Sequence, residues 1–437
     1  MVKKAAGGGL IALMLGLTLL SDFSQQRVPL WFAGVFGWLA VACLIADVKK
    51  AQRWQTGILI AIGLALLIGS ASLNHPLAWK PAIGNNVGLV AMLASVGFLR
   101  LIALPQKVDG SQSLPVGFAA FVKTMLGVSL FGSIINISAS ILFADRLQQH
   151  NALNRLASQS ITRVFSGCSV WSPFFGGMAA VLTYVPDMRL GFVALACLPF
   201  AVIGFLVVIL EVRLRYAEPV KNFKGYPVNF FSLWIPAALA SMILVLSRLA
   251  PQWSVLTLIS TSALTLTAMV LVARHGLAHA ASVLVRFVFE GLPAMINELQ
   301  LFLAAGVLAA GLGSLVNDVS LPIVTEFGLP EAIVLVGGMI LLAVAGVHPI
   351  VTISGATPLL MTLQPQHDIL AVCYLLAWSL GTCASPLSGT HLVFQGRYGI
   401  PSWKGAFWNW PYVGVMYFFA VVLLVLVAGY FNTSQVL

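Results

Sequence analysis

The sequence predicts an all-α polytopic membrane protein with about 11 transmembrane helices. It further predicts two inverted repeats, each carrying a re-entrant hairpin and a broken helix. Three observations carry this. Only 8% of the 437 residues are Asp, Glu, Lys or Arg, and 59% are hydrophobic; an ordinary soluble domain has about 25% charged residues. The mean hydropathy is +0.98. Runs such as 56–73, 190–210 and 413–429 are long enough to cross a bilayer as helices. A soluble chain of this size lacks the charge to cover its surface, which excludes a soluble enzyme, a nucleic-acid binder and a disordered chain.

The elements follow in order. Lys3 and Lys4 precede an apolar run to Leu20 with no small-x-small cleavage site after it, so residues 1–29 are expected to hold a retained leading span. Further spans are expected near 30–46, 56–73, 82–104, 158–184, 190–212, 229–249, 253–273, 298–316, 368–394 and 409–430. Two apolar segments, about 115–147 and 330–363, are too long for one crossing and polar at their centres. They read as re-entrant hairpins, because irregular backbone at membrane depth is tolerated only where it meets protein or a wet cavity. Segment 275–297 mixes His275, His279, Arg286 and Glu290 with apolar residues. It reads as an amphipathic helix on the cytoplasmic face, or as an extension of the following span.

Charge orients this layout. The excess of Lys and Arg, 23 against 13 Asp and Glu, falls mostly on one side if the N-terminus is cytoplasmic. Arg100, Lys107 and Arg163 are among the residues so placed; Arg27, Lys80, Arg189 and Arg248 fall outside. Reading either hairpin as a full crossing spoils this bias. The expected placement is the plasma (inner) membrane, with the C-terminus outside.

Two motifs occur twice, in the same order. Ile134-Ile135-Asn136-Ile137-Ser138-Ala139-Ser140 is echoed by Ile350-Val351-Thr352-Ile353-Ser354-Gly355-Ala356, and the Ser-Pro-x-x-Gly core Ser172–Gly176 by Ser385–Gly389. The chain therefore divides into repeat 1, 30–228, and repeat 2, 229–437. Each has a hairpin (115–147; 330–363) and then a broken helix (158–184; 368–394). Interrupted helices in inverted repeats are where secondary transporters place their ligand sites.

Pro173 and Pro386 break helices, and Gly167, Gly176, Gly381 and Gly389 allow the chain to unwind. Candidate substrate contacts are Asn136, Ser138, Ser140, Ser172, Thr352, Ser354, Thr357, Ser385, Ser388 and Thr390, converging on one cavity. Neutral oxygens at this density can replace water around Na⁺, with Ser138, Ser172, Ser354 and Ser385 nearest to such an ion. The start of each following half-helix suits an anion. For any one Ser or Thr, close helix packing is an equal alternative. Lys123, His348 and His391 are candidate proton or anion contacts, with snorkelling or ordinary packing as the alternatives. Carboxylates are scarce at membrane depth: Asp145, Asp187, Asp318 and Glu331 all lie near a face. The five cysteines form no CxxC pair and read as buried thiols. No cofactor, catalytic residue or nucleotide site is expected.

This layout resembles the ion transporter superfamily, and in architecture the divalent anion/sodium symporter family most. The hairpin tips here read Asn136–Ser140 and Thr352–Thr357 where that family carries Ser-Asn-Thr. The large membrane subunit of binding-protein-dependent TRAP transporters shares the plan. The resemblance implies an elevator-type secondary transporter, with a mobile unit of hairpins and broken helices and a scaffold that is often a homodimer. The expected function is Na⁺-coupled symport of a small organic anion of the carboxylate class. The alternatives are a TRAP-type permease subunit or a proton-coupled antiporter or exporter. A membrane-embedded enzyme is disfavoured because no loop clusters the ionisable groups such chemistry needs.

Overall fold

The computed structural model describes residues 2–103, 114–149, 153–226, 234–316 and 326–434. Lys107, Asp318 and the repeat boundary at 228–229 lie outside the described residues. Within them the chain is a helical membrane protein. The leading helix α1 (Val2–Phe23) is followed by α2 (Leu30–Leu44), α3 (Lys50–Ser72), α4 (Trp79–Gly84), α5 (Val87–Gly97) and α6 (Arg100–Ala103). The first hairpin is α7 (Phe118–Ile135) and α8 (Ile137–Gln148). The first broken helix is α9 (Arg155–Gly167) and α10 (Gly176–Tyr184), followed by α11 (Leu190–Arg215) and α12 (Ala217–Lys221). Then come α13 (Trp234–Leu249), α14 (Val255–His275), α15 (Leu277–Arg286) and α16 (Ile296–Leu315). The second hairpin is α17 (Leu329–Val344) and α18 (Pro349–Met361), and the second broken helix is α19 (His367–Ala384) and α20 (Gly389–Tyr398). The closing helix is α21 (Ser402–Ser434).

Among the described residues, ten helical stretches are long and apolar enough to cross a membrane. They differ from the expected set in three places. Residues 158–184, expected as a broken helix, are interrupted between Gly167 and Gly176 and so do not count as one long apolar stretch. α13 is described only from Trp234 and is short at 16 residues. α7, read in the sequence as a hairpin limb, has 18 residues and is itself long enough to cross. Outward faces are apolar where lipid is expected: Leu195, Val202, Leu206 and Leu210 line one exposed stripe of α11.

From Leu277 on, segment 275–297 is helical and joins the following span without a non-helical break. Helix runs from Leu277 to Leu315, with a π turn at Phe287–Gly291 and a 3₁₀ turn at Leu292–Met295 between α15 and α16. A Cβ on Gly8 of α1 would strike the Val288 carbonyl, so α1 holds this irregular turn closely.

Local chemistry sets the ends of the helices that matter. Asn154 starts α9 by accepting from Ala157 N–H at 2.9 Å. His348 starts α18, Nδ1 accepting from Ile350 N–H at 3.2 Å, with Pro349 in the first turn. Ser388 caps α20, which stops at Gly399 in the left-handed region, φ +71°. The first hairpin turns on Asn136 alone, at φ +51° and ψ −140°. Phe131 and Phe143, on its two limbs, come within 6.1 Å ring to ring, so the limbs fold back on each other.

Candidate functional site

The strained turn at Asn136 is held by its own side chain. Asn136 Nδ2 donates to the Phe174 carbonyl at 2.9 Å, and Oδ1 accepts from Gly176 N–H at 3.4 Å. The tip of the first hairpin is thus bonded across the first break, where Pro173 and the turn before it release those groups. A non-glycine residue in such a conformation costs about 1–3 kcal/mol and persists where its surroundings hold it. Ser172 reinforces the link, donating from Oγ to the Ser133 carbonyl and accepting from Phe174 N–H.

The second half-helix of the second break lies beside the first hairpin. A Cβ on Gly389 would sit 3.3 Å from Ile137 Cδ1. Further along, Tyr398 Oη donates to Asp145 Oδ1 at 2.7 Å and lies 3.1 Å from the Ile141 carbonyl, and Arg397 pairs with Asp145 through two bonds of 2.7 and 2.6 Å. α8 and α20 therefore run parallel, with both N-termini at the same place. Arg397 is 55% exposed, so this pair is worth about 1 kcal/mol at most and serves chiefly to set register.

A cavity of about 280 Å³ opens at those two helix starts. Asn136, Ser138 and Gly389 form one wall. Lys49, Asn297 and Glu298 form another, and Arg100 and Phe287 of the π turn complete it. Lys49 N–H donates to Asn297 Oδ1 at 3.3 Å, and the Arg100 guanidinium lies 5.1 Å over the Phe287 ring. A second hollow of about 400 Å³ shares Arg100, Phe287 and Gly291 with the first and adds Arg286 and Glu290. Two helix N-termini and two cations around one hollow favour a negative group there.

Other expected contacts stand elsewhere. Thr352, Ser354 and Thr357 bond back to carbonyls of their own helix α18, at 2.9, 3.0 and 2.7 Å, and Thr357 also meets Tyr374 Oη. They do not line the cavity. Ser385 Oγ accepts from Leu387 N–H within the second break, below Pro386. Ser140 on α8 and Thr390 on α20 are buried and do not line the cavity, and their hydroxyls have no hydrogen-bond partner among the described residues. Lys123 is exposed on α7 and away from the cavity. His348 packs edge-on to Trp378, with rings 5.4 Å apart. Gly381 does not break its helix. It lies inside α19, where a Cβ would come within 3.1 Å of Ala343 and 3.2 Å of Pro349, so its bare surface admits the second hairpin.

His391 is tied into a buried network. Arg163, 2% exposed, pairs with Glu211, and its Nε donates to Asn409 Oδ1 at 2.8 Å. This fixes the Asn409 amide, whose Nδ2 faces His391 Nε2 at 3.3 Å and donates to the Gly405 carbonyl at 3.0 Å. His391 Nε2 must then accept. The ring proton is on Nδ1, which faces the Ser385 carbonyl at 2.8 Å and Ser388 Oγ at 2.9 Å. A chain of groups from Arg163 thereby holds the second break. Arg163, read in the sequence only as one of the basic residues on the cytoplasmic side, is buried in the protein, where Glu211, Asn409 and the Trp408 carbonyl supply its partners.

Sequence reading missed Lys49, Arg100, Asn297 and Glu298 as site residues. They sit at ends of spans, where charge is ordinarily a topology signal. The one usable sign was Asn297-Glu298, a polar pair opening an otherwise apolar span.

Fold and site together define an integral helical membrane protein with a charged cavity at a hairpin tip. The chain matches no protein-family model and no curated protein. Among solved structures it is similar to the YdaH transporter of Alcanivorax borkumensis, with 16% identity over 86% of this chain and 85% of that one and a TM-score of 0.43.

Proposed function

We propose that the protein is a secondary active transporter that carries a small organic anion through the cavity at Asn136 and Gly389. The observation that carries this reading is the meeting of the α8 and α20 starts with Lys49 and Arg100 around one hollow. Interrupted helices facing a hollow are the means by which transporters hold solutes without a lipid-exposed polar backbone.

Matching contacts within and between the halves support a repeat. α3 packs on α16 and α14 on α5; α11 packs on α9 and α21 on α19; α10 meets α18 and α20 meets α8. Ser166 and Ser379 stand at equal distances before Ser172 and Ser385, and Ser379 Oγ donates to the Ser166 carbonyl at 3.0 Å. A bond between equivalent positions is what a twofold axis through this point produces. On this reading the halves are inverted copies, and the hairpins and broken helices form a unit that moves against α2, α3, α13 and α14 as in an elevator.

Na⁺ is the coupling ion in this proposal. The support is two unpartnered buried hydroxyls, Ser140 on α8 and Thr390 on α20, the two helices whose starts line the cavity. The test is uptake of labelled small carboxylates by the purified protein in vesicles under imposed Na⁺ or pH gradients. Na⁺-stimulated uptake, lost in Gly389→Val, is expected. Uptake indifferent to both gradients contradicts the coupling, and uptake untouched in Gly389→Val contradicts the site.

A further inference from the structure

The cavity wall carries one charge that an anion alone does not explain. Glu298, in the first turn of α16, is half-buried and lines the hollow. No ion pair within 4.0 Å joins Glu298, Lys49 or Arg100 to any partner among the described residues. Lys49 acts on Glu298 only from beyond that distance. Its Nζ is turned to the Leu392 carbonyl at 3.5 Å. Arg100 rests on Phe287. Elsewhere the carboxylates of the interior are matched: Glu211 by Arg163 and Asp368 by Arg189.

Leaving a half-buried carboxylate without an ion-pair partner is costly. A site built only for anions gains nothing from Glu298, which repels them. The adjoining hollow repeats the mixture with Arg286 and Glu290. Both signs of charge on facing walls fit a solute that carries both.

We propose that the transported solute is a small amino-carboxylate. Its carboxylate sits at Arg100, the Ser138 hydroxyl and the starts of α8 and α20, and its ammonium meets Glu298. The space, about 280 Å³, is near the lower end of the roughly 300–1,000 Å³ usual for small-ligand sites, which suits a molecule of amino-acid size. This rests on the transport reading of the same cavity and narrows its substrate.

The test uses the purified full-length protein and matched straight-chain compounds of four, six and eight carbons: monocarboxylates, dicarboxylates, ω-amino acids and diamines. Thermal unfolding reads binding, since a ligand of the folded state raises its stability by mass action. One of the ω-amino acids is expected to bind about tenfold more tightly than its monocarboxylate. Glu298→Gln is expected to abolish that preference and leave the monocarboxylate shift, while Glu298→Asp retains the preference. A dicarboxylate that equals or exceeds the ω-amino acid overturns this proposal and leaves the anion reading standing. A diamine bound best, or no shift with any compound on folded wild-type protein, overturns both. The wild-type comparison decides even if a Glu298 variant does not fold.

Discussion

Asn136 concentrates the argument at the level of single residues. Its φ of +51° is unfavourable to a side chain, yet that side chain makes two of the bonds that join hairpin and break. Asn136→Gly relieves the backbone and loses the bonds; Asn136→Ala loses the bonds and keeps the strain. Thermal denaturation in detergent is expected to rank them wild type, then Asn136→Gly, then Asn136→Ala, the last destabilised by about 2 kcal/mol. Equal stability of all three would remove the tip from the site. Arg163 gives a larger effect. Arg163→Ala leaves Glu211 without its buried partner and Asn409 without its fixed amide, at a cost of about 3–5 kcal/mol in the same assay. The paired change Arg163→Met with Glu211→Met is expected to recover most of it, since well-packed apolar groups replace a buried pair at little cost. No recovery would show that the network matters through Asn409 and not through the charge pair. Residues of this kind were the least legible in the sequence. An arginine among apolar residues reads as an orientation signal, and only the approach of α9, α11 and α21 shows it to be a buried anchor.

At the scale of elements, the chain declares its interruptions through composition. Ser172-Pro173 and Ser385-Pro386 lack the N–H that would continue a helix, and helix resumes at Gly176 and Gly389. That much was legible because it is local. Which surfaces the freed ends face was not, because it depends on contacts between segments far apart in sequence, such as Ile137 with Gly389. The misreading of Gly381 has the same origin: a glycine inside a helix signals close approach as readily as it signals a break. The contact of α3 with α16 shows the close-approach case. A Cβ on Gly63 would lie 2.8 Å from the Val307 backbone, so Gly63→Leu must push the two helices apart. A loss of about 3 kcal/mol or more is expected on denaturation, since overpacking costs 1–3 kcal/mol even where side chains can yield. Unchanged stability would mean that α3 and α16 do not form a fixed scaffold.

For the whole molecule, the central claim is that one cavity is reached in turn from both sides of the membrane. Scarcity of charge fixed the class of protein at the outset, and two of the places where the remaining charge meets the protein interior are this hollow, with Arg100 and Glu298, and the Arg163–Glu211 network. The most direct measurement is accessibility of Ser138→Cys in a background lacking Cys43, the cysteine that is not buried. The protein is reconstituted in vesicles and treated with a membrane-impermeant thiol reagent from the inside or the outside, with and without an imposed Na⁺ gradient. Labelling from both faces is expected, with the two rates shifting in opposite directions when the gradient is reversed. Labelling from one face only, at a rate indifferent to the gradient, would contradict alternating access at this cavity.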